Sequence, residues 1–197
     1  MSDDPHEAES YRVLRSRIDL SGLPPLTRAV TESVLCASAD FDYVTDLVCD
    51  EAALQEGVRA LAARSAVVAD AAPVAVSMTG YPVTCKAAEP LAARLARTAG
   101  ITVPAAGIRL GFGECGPGAI WVVGSAPDAL TEILRRVVEP SLVIGFPVGF
   151  AGAAGAKDEL RASGLPALTN VSEKGGPAVA AAAFAALLRA ASGEPLP

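Results

Sequence analysis

The sequence predicts an α/β protein built on a mostly parallel β-sheet with helices on both faces. Short apolar segments that end at Gly, Asp or Pro alternate with segments rich in Ala, Leu, Glu and Arg. This alternation is typical of parallel sheets, because each parallel connection needs a crossover helix. With 197 residues, 51% of them hydrophobic, the chain suits one sizeable core. We therefore expect a single domain over residues 1–197, with residues 1–5 and 192–197 frayed.

Helical spacing dominates the first third of the chain. Behind Pro5 and several acidic residues, Tyr11, Leu14 and Ile18 recur at the spacing of an amphipathic helix. Good helix formers favour helix again from Asp42 to Arg64. We therefore expect two helical regions here, each of which buries one face.

Another helix is expected between these two regions. The Pro24-Pro25 pair stops the first pattern, after which helical spacing resumes with Thr27 as a candidate N-cap. Cys36 would then lie near the C-terminal end of this helix.

Apolar segments predict the buried strands. The segments are SAVVAD, AVSMTG, AIWVVGS, SLVIGFP and LPALTN, and the intervening EPLAARLARTAG and APDALTEILRRVV predict helices. The closing segment, PAVAAAAFAALLRAAS, predicts a helix that is apolar nearly all round. We expect that helix to be buried on more than one side, and either it or the N-terminal helix to pack on a second subunit.

Composition limits the possible partners. A formal net charge of −6, without a cluster of Lys or Arg, argues against nucleic acid and anionic membrane surfaces, which need a concentrated positive face. Glycines and prolines interrupt the longest uncharged segment, Pro140 to Ala156, so no membrane span is expected. The N-terminus lacks the apolar region of a secretory signal. We expect a cytoplasmic protein whose partner is a small molecule.

Cysteine and histidine are too sparse for a metal site. Cys36, Cys49, Cys85 and Cys115 are widely scattered, and His6 is the single histidine. No zinc cluster, disulfide framework or Ser-His-Asp triad is therefore expected. The thiols are expected to be free and mostly buried.

In open α/β sheets, ligands bind beyond the carboxyl ends of the strands, so the loops there are candidate sites. Gly124, Ser125 and Ala126 lead from a strand into a helix whose free N–H groups suit an anionic ligand group. The alternative is a tight structural turn with Ser125 as cap and Pro127 at the first helical position. Asp70, at an earlier strand end, is more typical of a turn cap than of a catalyst.

The segment GFPVGFAGAAGAKDEL is unusually rich in glycine, and a flat, bulky ligand would be able to approach its backbone closely. Its spacing matches neither the dinucleotide-binding pattern nor a P-loop. Alternatively, the glycines allow close packing of helix against strand. Lys157 then either receives a ligand carboxylate or is an ordinary solvated charge at a helix start.

Five segments, in order along the chain, resemble a known family. HEAESYRVLRS, ASADFDY, WVVGSAPDAL, PSLVIGFPVGFAGAAGAKDEL and NVSEKGG are similar to successive motifs of the precorrin-8X methylmutases (precorrin isomerases) of cobalamin biosynthesis. The resemblance implies a Rossmann-like domain, a homodimer with active sites at the subunit interface, and no metal or organic cofactor. It also implies an isomerase activity, the migration of a methyl group from C-11 to C-12 of a corrin precursor to give hydrogenobyrinate.

The resemblance also implies site residues. The family's histidine, thought to protonate the ring, aligns with Cys36, whose thiol, with an ordinary pKa of about 8.5, becomes the expected catalytic acid. The alternative, a thiolate nucleophile at Cys36, is disfavoured near a helix C-terminus. The expected substrate-binding residues are Ser10, Tyr11, Ser77, Gly124, Ser125, Ala126, Pro147, Gly149 and Lys157.

Some positions depart from the family pattern and lack polar groups suited to corrin carboxylates, among them Val103-Pro104 and Ala156, while Asp128 adds repulsion. Three interpretations follow. The chain is a methylmutase with Cys36 as its acid, a diverged member that rearranges a different and less anionic molecule, or a non-catalytic binder of corrinoids. In the enzymatic interpretations Cys36 is expected to line the main pocket.

Overall fold

The structure is a computed structural model that describes residues 5–136 and 139–194. In these ranges the helices are α1 Pro5–Arg17, α2 Pro25–Ser38, α3 Tyr43–Asp46, α4 Glu51–Ala62, α5 Ala72–Ser77, α6 Pro90–Ala99, α7 Val103–Gly111, α8 Pro127–Leu134, α9 Ala153–Ala162 and α10 Pro177–Ala191. The strands are β1 Leu47–Cys49, β2 Val67–Ala69, β3 Ile120–Val123, β4 Leu142–Gly145 and β5 Ala167–Asn170. Apart from Pro5, which begins α1, and residues 192–194, the ends predicted to fray lie outside the described residues.

The strands form one sheet in the order β1-β5-β4-β3-β2. β2 to β5 run parallel, whereas β1 pairs antiparallel with β5 at the edge, with Val48 opposite Thr169. The predicted fold class, an α/β fold with a mostly parallel sheet, is confirmed. The expectation of continuous helix from Asp42 to Arg64 is wrong at β1. This edge strand is stabilised by pairing with a strand distant in sequence, and no local sequence pattern predicts it.

Alternate strand residues face two separate cores, so helices cover both faces of the sheet as predicted. One core joins strand residues such as Ile120 and Leu142 to helices α2, α4, α5 and α10. The other joins Val68, Trp121 and Val143 to residues of α7, α8 and α9. Burial of both faces explains why the parallel strands read as continuous apolar segments.

The alanine-rich helix α10 lies at the centre of the first core. Its buried side chains include Val179, Phe184 and Leu187, and it packs against α2, α4, α5 and the sheet. The predicted burial on more than one side is confirmed. Helices of the same chain supply that burial, so the apolar character of α10 does not require a second subunit.

Two local predictions are wrong for reasons of packing. The segment AVSMTG is not a strand but overlaps α5, in which Pro73 occupies the first helical turn. Val74 and Met78 are buried at helical spacing, whereas Val76, which an alternating strand would bury beside Val74, is 76% exposed. The period of burial is therefore that of a helix.

The predicted N-cap of α2 is also wrong. The helix begins at Pro25, and the carboxylate of Glu51, from the first turn of α4, accepts the backbone N–H groups of Leu26 and Thr27 at 2.9 Å each. The Thr27 hydroxyl donates to the same carboxylate at 2.7 Å. A side chain from another helix thus satisfies the free N–H groups that a local cap would otherwise satisfy.

Candidate functional site

Asp70, which follows β2, closes the turn between β3 and α8. Its carboxylate accepts the N–H of Gly124 at 3.1 Å, that of Ser125 at 3.0 Å and that of Ala126 at 2.9 Å. Burial raises the pKa of this carboxyl, and the three N–H donors act to lower it. The N–H groups predicted to receive an anionic ligand are therefore already bonded to a protein carboxylate.

The turn itself is packed tightly. A Cβ on Gly124 would lie 2.9 Å from Val74 and 3.0 Å from Ala180. Ser125 does not cap α8 with its side chain, although Pro127 begins the helix as predicted. The structural interpretation of this turn therefore accounts for its geometry, with Asp70 in the capping role.

Lys157 is fully buried in α9, and its ammonium group is committed to protein oxygens. Nζ donates to Asn170 Oδ1 at 2.8 Å and to the backbone carbonyls of Ser172 at 2.5 Å and Lys174 at 2.6 Å. Burial lowers the pKa of Lys157 to about 8, so the group is still protonated at neutral pH. All three N–H donors are in use, and the geometry does not offer this ammonium to a ligand carboxylate.

The loop after β5 is fixed from the other side by Asp46. The two oxygens of this carboxylate accept the N–H groups of Val171 and Ser172, at 3.0 and 2.7 Å, and the side chains of Asn170 and Ser172, each at 2.7 Å. Burial acts to raise the pKa of Asp46, but these hydrogen bonds together lower it. Lys157 and Asp46 thus hold the same loop between them.

The glycine-rich loop after β4 lies against the loop after β5. The N–H of Gly149 donates to Glu173 O at 3.1 Å, and that of Gly176 donates to Phe146 O at 2.9 Å. Gly175 has φ of +155°, and a Cβ there would lie 2.4 Å from Phe146 O. These glycines allow two loops to pack closely. Pro147 is buried between them, while Phe150 is 98% exposed.

Lys174 connects this loop region to the end of α2. Its ammonium pairs with Asp40 at 2.6 Å and with Asp42 at 2.5 Å, which raises the pKa of Lys174 and lowers that of Asp40. The segment of residues 39–42 also contributes to a groove beside Cys36. The loops at the carboxyl edge of the sheet therefore help to position one wall of that groove.

The groove lies between α1 and the C-terminal end of α2 and has a volume of about 300 Å³. Its lining residues are Glu9, Ser10, Val13, Leu14 and Arg17 from α1, and Leu35, Cys36, Ala39 and Phe41 from the end of α2 and the following turn. Larger grooves, of about 470 and 610 Å³, lie at the β1 edge and at the amino end of β3. Cys36 thus lines a groove, but the expectation that it lines the main one is wrong.

Charged and polar side chains of α1, α2 and α10 surround the thiol of Cys36. Glu32, one turn earlier in α2, is almost fully buried and pairs with Arg15 at 2.5 Å and with Arg28 at 2.9 Å. Burial raises the pKa of the Cys36 thiol, the charge of Glu32 raises it further, and Arg15 acts in the opposite direction. Cys36 is therefore a neutral thiol at neutral pH, as an acid requires.

Tyr11 lies behind the groove rather than in it. Its hydroxyl accepts a hydrogen bond from Arg189 at 3.1 Å, and Arg189 pairs with Glu7 at 2.6 Å. Burial raises the pKa of Tyr11. The Nε atom of Arg189 is buried without a hydrogen-bond partner among the described residues. Tyr11 therefore joins α1 to α10.

Of the residues predicted to form the site, the structure brings Ser10 and Cys36 together on the groove. Ser77 lies at the exposed end of α5, where its hydroxyl donates to Pro73 O at 2.8 Å. The loops described above hold Gly124, Ser125, Ala126, Pro147 and Gly149. Tyr11 lies in α1, behind the groove, and Lys157 lies buried in α9. Sequence reasoning missed Val13 and Arg17, although their spacing from Glu9, four and eight residues, places them on one face of a helix.

Neither a metal cluster nor a bilayer-spanning helix occurs in the part of the chain that the structure describes. No three His, Cys, Asp or Glu side chains in residues 5–136 and 139–194 are grouped so as to hold an ion. Among these residues, no helix combines the length and the apolar character needed to cross a bilayer.

Fold and site together define an α/β protein whose groove presents an uncharged thiol beside apolar side chains. A profile of the precorrin-8X methylmutases matches residues 6–190. The chain is 34% identical to the precorrin-8X methylmutase of Pseudomonas aeruginosa over 191 residues, and the alignment covers 91% of each chain. It is 32% identical to the cobalt-precorrin-8 methylmutase of Salmonella typhimurium over 194 residues, and this alignment covers 92% of each chain.

A solved structure gives the same result. The precorrin-8X methylmutase from Thermus thermophilus superposes with a TM-score of 0.86 at 28% identity, over 96% of this chain and 98% of that one. The chain belongs to the precorrin-8X methylmutase family, whose members are isomerases.

Replacing Lys157 by Met is expected to lower the free energy of unfolding by about 2–4 kcal/mol, because one buried and two partly buried acceptors lose their donor. Urea denaturation followed by circular dichroism measures this loss. The matched change, Lys174→Met, removes a half-exposed ion pair and should cost less than about 1 kcal/mol. Equal losses for the two variants would contradict the role assigned to Lys157.

The pH profile of Cys36 alkylation should respond to its two charged neighbours in opposite directions. Glu32→Gln removes the charge that raises the pKa of the thiol, so the midpoint of iodoacetamide labelling should fall; Arg15→Gln should raise it. Mass spectrometry of the labelled peptide reads each midpoint. General loosening of the fold would speed labelling in both variants, and shifts of the same sign would contradict the assignment.

Proposed function

We propose that this chain catalyses the methyl migration of cobalamin biosynthesis, from C-11 to C-12 of a precorrin, with Cys36 as the general acid. The observation that carries the proposal is the neutral thiol on an apolar groove, at the position where the family resemblance places a proton donor. The family membership and the relatives named precorrin-8X methylmutase support the substrate class.

The reaction needs a proton only transiently. Protonation of the ring by the thiol would draw electron density away from C-12, so that the methyl group migrates there with its bonding pair as the C-11 to methyl bond breaks and the C-12 to methyl bond forms. The product is an isomer of the substrate, so the proton must return to sulfur. Burial and the charge of Glu32 both favour the thiol over the thiolate, and they therefore drive that return.

We propose that two copies of the chain form the working enzyme. A groove of about 300 Å³ lies at the lower end of the range for ligand sites, roughly 300–1,000 Å³, and a tetrapyrrole macrocycle is a large ligand. Large apolar side chains stand exposed on the loops beyond β4 and β5, namely Val148, Phe150 and Val171. Contact between copies would cover this apolar surface and enlarge the site.

A cytoplasmic location is also proposed. It is supported by the four cysteines, Cys36, Cys49, Cys85 and Cys115, which are all free thiols and suit a reducing compartment. Biosynthesis of a small-molecule cofactor is consistent with the same compartment.

Cys36→Ala should lower kcat for methyl migration by about two powers of ten or more, while KM changes little, because the acid is lost and the groove is kept. Cys36→His should equal or exceed the wild-type kcat, since Glu32 would favour the imidazolium. The change in the absorption spectrum on conversion to hydrogenobyrinate gives the rate.

Cys85→Ala, a thiol outside the groove, is the matched control and should retain full kcat. If Cys36→Ala also retains it, Cys36 is not the acid. If the wild-type chain neither turns over nor binds a precorrin, the assignment of substrate is wrong, and a different and less anionic molecule is the alternative.

Phe150→Glu is expected to weaken association of the proposed dimer, because a charge replaces a fully exposed apolar side chain. Sedimentation velocity over a range of concentrations should show dimers for the wild type and mostly monomers for this variant. Leu91→Glu, at another exposed apolar residue on α6, is the control and should leave the wild-type distribution unchanged. A wild-type chain that stays monomeric throughout would end the proposal.

A further inference from the structure

The groove beside Cys36 contains one cation, Arg17, that makes no hydrogen bond or ion pair with any other described residue. We infer that Arg17 binds a carboxylate of the substrate and is a specificity-determining residue of this site. The inference rests on the proposed function, and it replaces Lys157, the cation expected from sequence, by another residue.

The placement of Arg17 follows from helical geometry. Glu9, Val13 and Arg17 recur every four residues and form one row along α1, and Ser10 and Leu14 form the adjacent row. The row from Glu9 to Arg17 extends about 12 Å, given a rise of about 1.5 Å per residue. The groove is therefore apolar in the middle of this wall and charged at its two ends.

The acidic end of the row is neutralised. The guanidinium of Arg12 donates to both carboxylate oxygens of Glu9, at 2.7 and 2.5 Å. Arg17, at the other end, is exposed to solvent and pairs with no carboxylate among the described residues. The groove wall on α1 therefore has a net positive end, which is complementary to an anionic group on a ligand.

The other cations near the groove are bonded to protein groups. Arg15 and Arg28 pair with Glu32, and Arg189 pairs with Glu7. Lys174 pairs with Asp40 and Asp42. A ligand carboxylate that approached any of these would have to displace a protein carboxylate, whereas at Arg17 it displaces water alone.

A purely local role for Arg17 does not explain these observations. Basic residues in the last turn of a helix favour the helix dipole, and both Arg15 and Arg17 lie in the last turn of α1. The dipole gives no reason for a second arginine to lie on the groove side. A guanidinium binds a carboxylate through two parallel hydrogen bonds, which fixes both position and direction.

Such an anchor has a consequence for the reaction. A corrin precursor is a nearly symmetric disc that carries several carboxylate side chains, and apolar contacts alone do not select one rotation of such a disc. Fixing one carboxylate at Arg17 selects the ring edge that faces Cys36. Arg17 would thus determine which substrate, and which end of it, meets the acid.

The test is a titration of the purified full-length chain with hydrogenobyrinate, followed by fluorescence or absorbance, at low and high salt. Arg17→Gln should weaken binding by about three- to tenfold, since a partly exposed charge pair is worth little more. The salt dependence should also decrease, because one charge contact is lost. Arg17→Lys should recover part of the affinity. Arg94→Gln, an exposed arginine of α6 away from the groove, should bind as the wild type does.

A second ligand separates charge recognition from simple packing. A corrin whose peripheral carboxylates have been converted to amides should bind the wild type more weakly than hydrogenobyrinate does. Arg17→Gln should discriminate less between the two ligands. In turnover, this variant should lower kcat as well as kcat/KM, because substrate bound in other orientations presents another ring edge to Cys36.

Each contrary result has a distinct meaning. If the wild type binds hydrogenobyrinate and Arg17→Gln binds it equally well, with the same preference over the amide, Arg17 is not the anchor and the proposed function stands. If the wild type binds neither corrin, the proposed function fails, and the role of Arg17 fails with it.

Discussion

The geometry of the site depends on the hydrogen bonds that the buried ammonium group of Lys157 donates. Three oxygens from β5 and the following loop surround it, and a fully buried charge is stable only when its hydrogen bonds are complete. Asp46 holds the same loop from the opposite side. Fixed in this way, the loop presents Lys174 to Asp40 and Asp42, and so helps to position the turn that closes the groove beside Cys36.

The chemistry of the groove depends on the balance of charge around one thiol. Burial and the carboxylate of Glu32, one turn away, raise the pKa of Cys36, and Arg15, which pairs with that carboxylate, acts to lower it. Their sum keeps sulfur protonated. A thiol of raised pKa is a weak donor, but it recovers its proton readily, and an isomerisation without net proton transfer needs both steps. The surroundings of Cys36 therefore favour the return of the proton to sulfur over its donation.

The cations near the groove are likewise placed by their ion pairs. Near the groove, Arg15, Arg28 and Arg189 pair with carboxylates of α1 and α2, because these buried or half-buried carboxylates need partners. The loops with the most suggestive sequences, around Gly124 and Gly149, prove to be tightly packed and internally bonded. The groove that holds the thiol lies instead on the helical layer, in front of the sheet's carboxyl edge.

The sequence by itself determined the alternation of helices and strands, the α/β class, and the position of Cys36 near the end of α2, because these depend on local periodicity and on residues that start or stop a helix. Tertiary structure decided the partners. The carboxylate that caps α2 comes from Glu51, 24 residues beyond Thr27, and Asp46 binds the N–H of Ser172, 126 residues away. Asp70 similarly reaches the turn at Gly124, 54 residues later. A local pattern carries no information about such contacts, since they exist only after the folded sheet and helices have brought distant parts of the chain together.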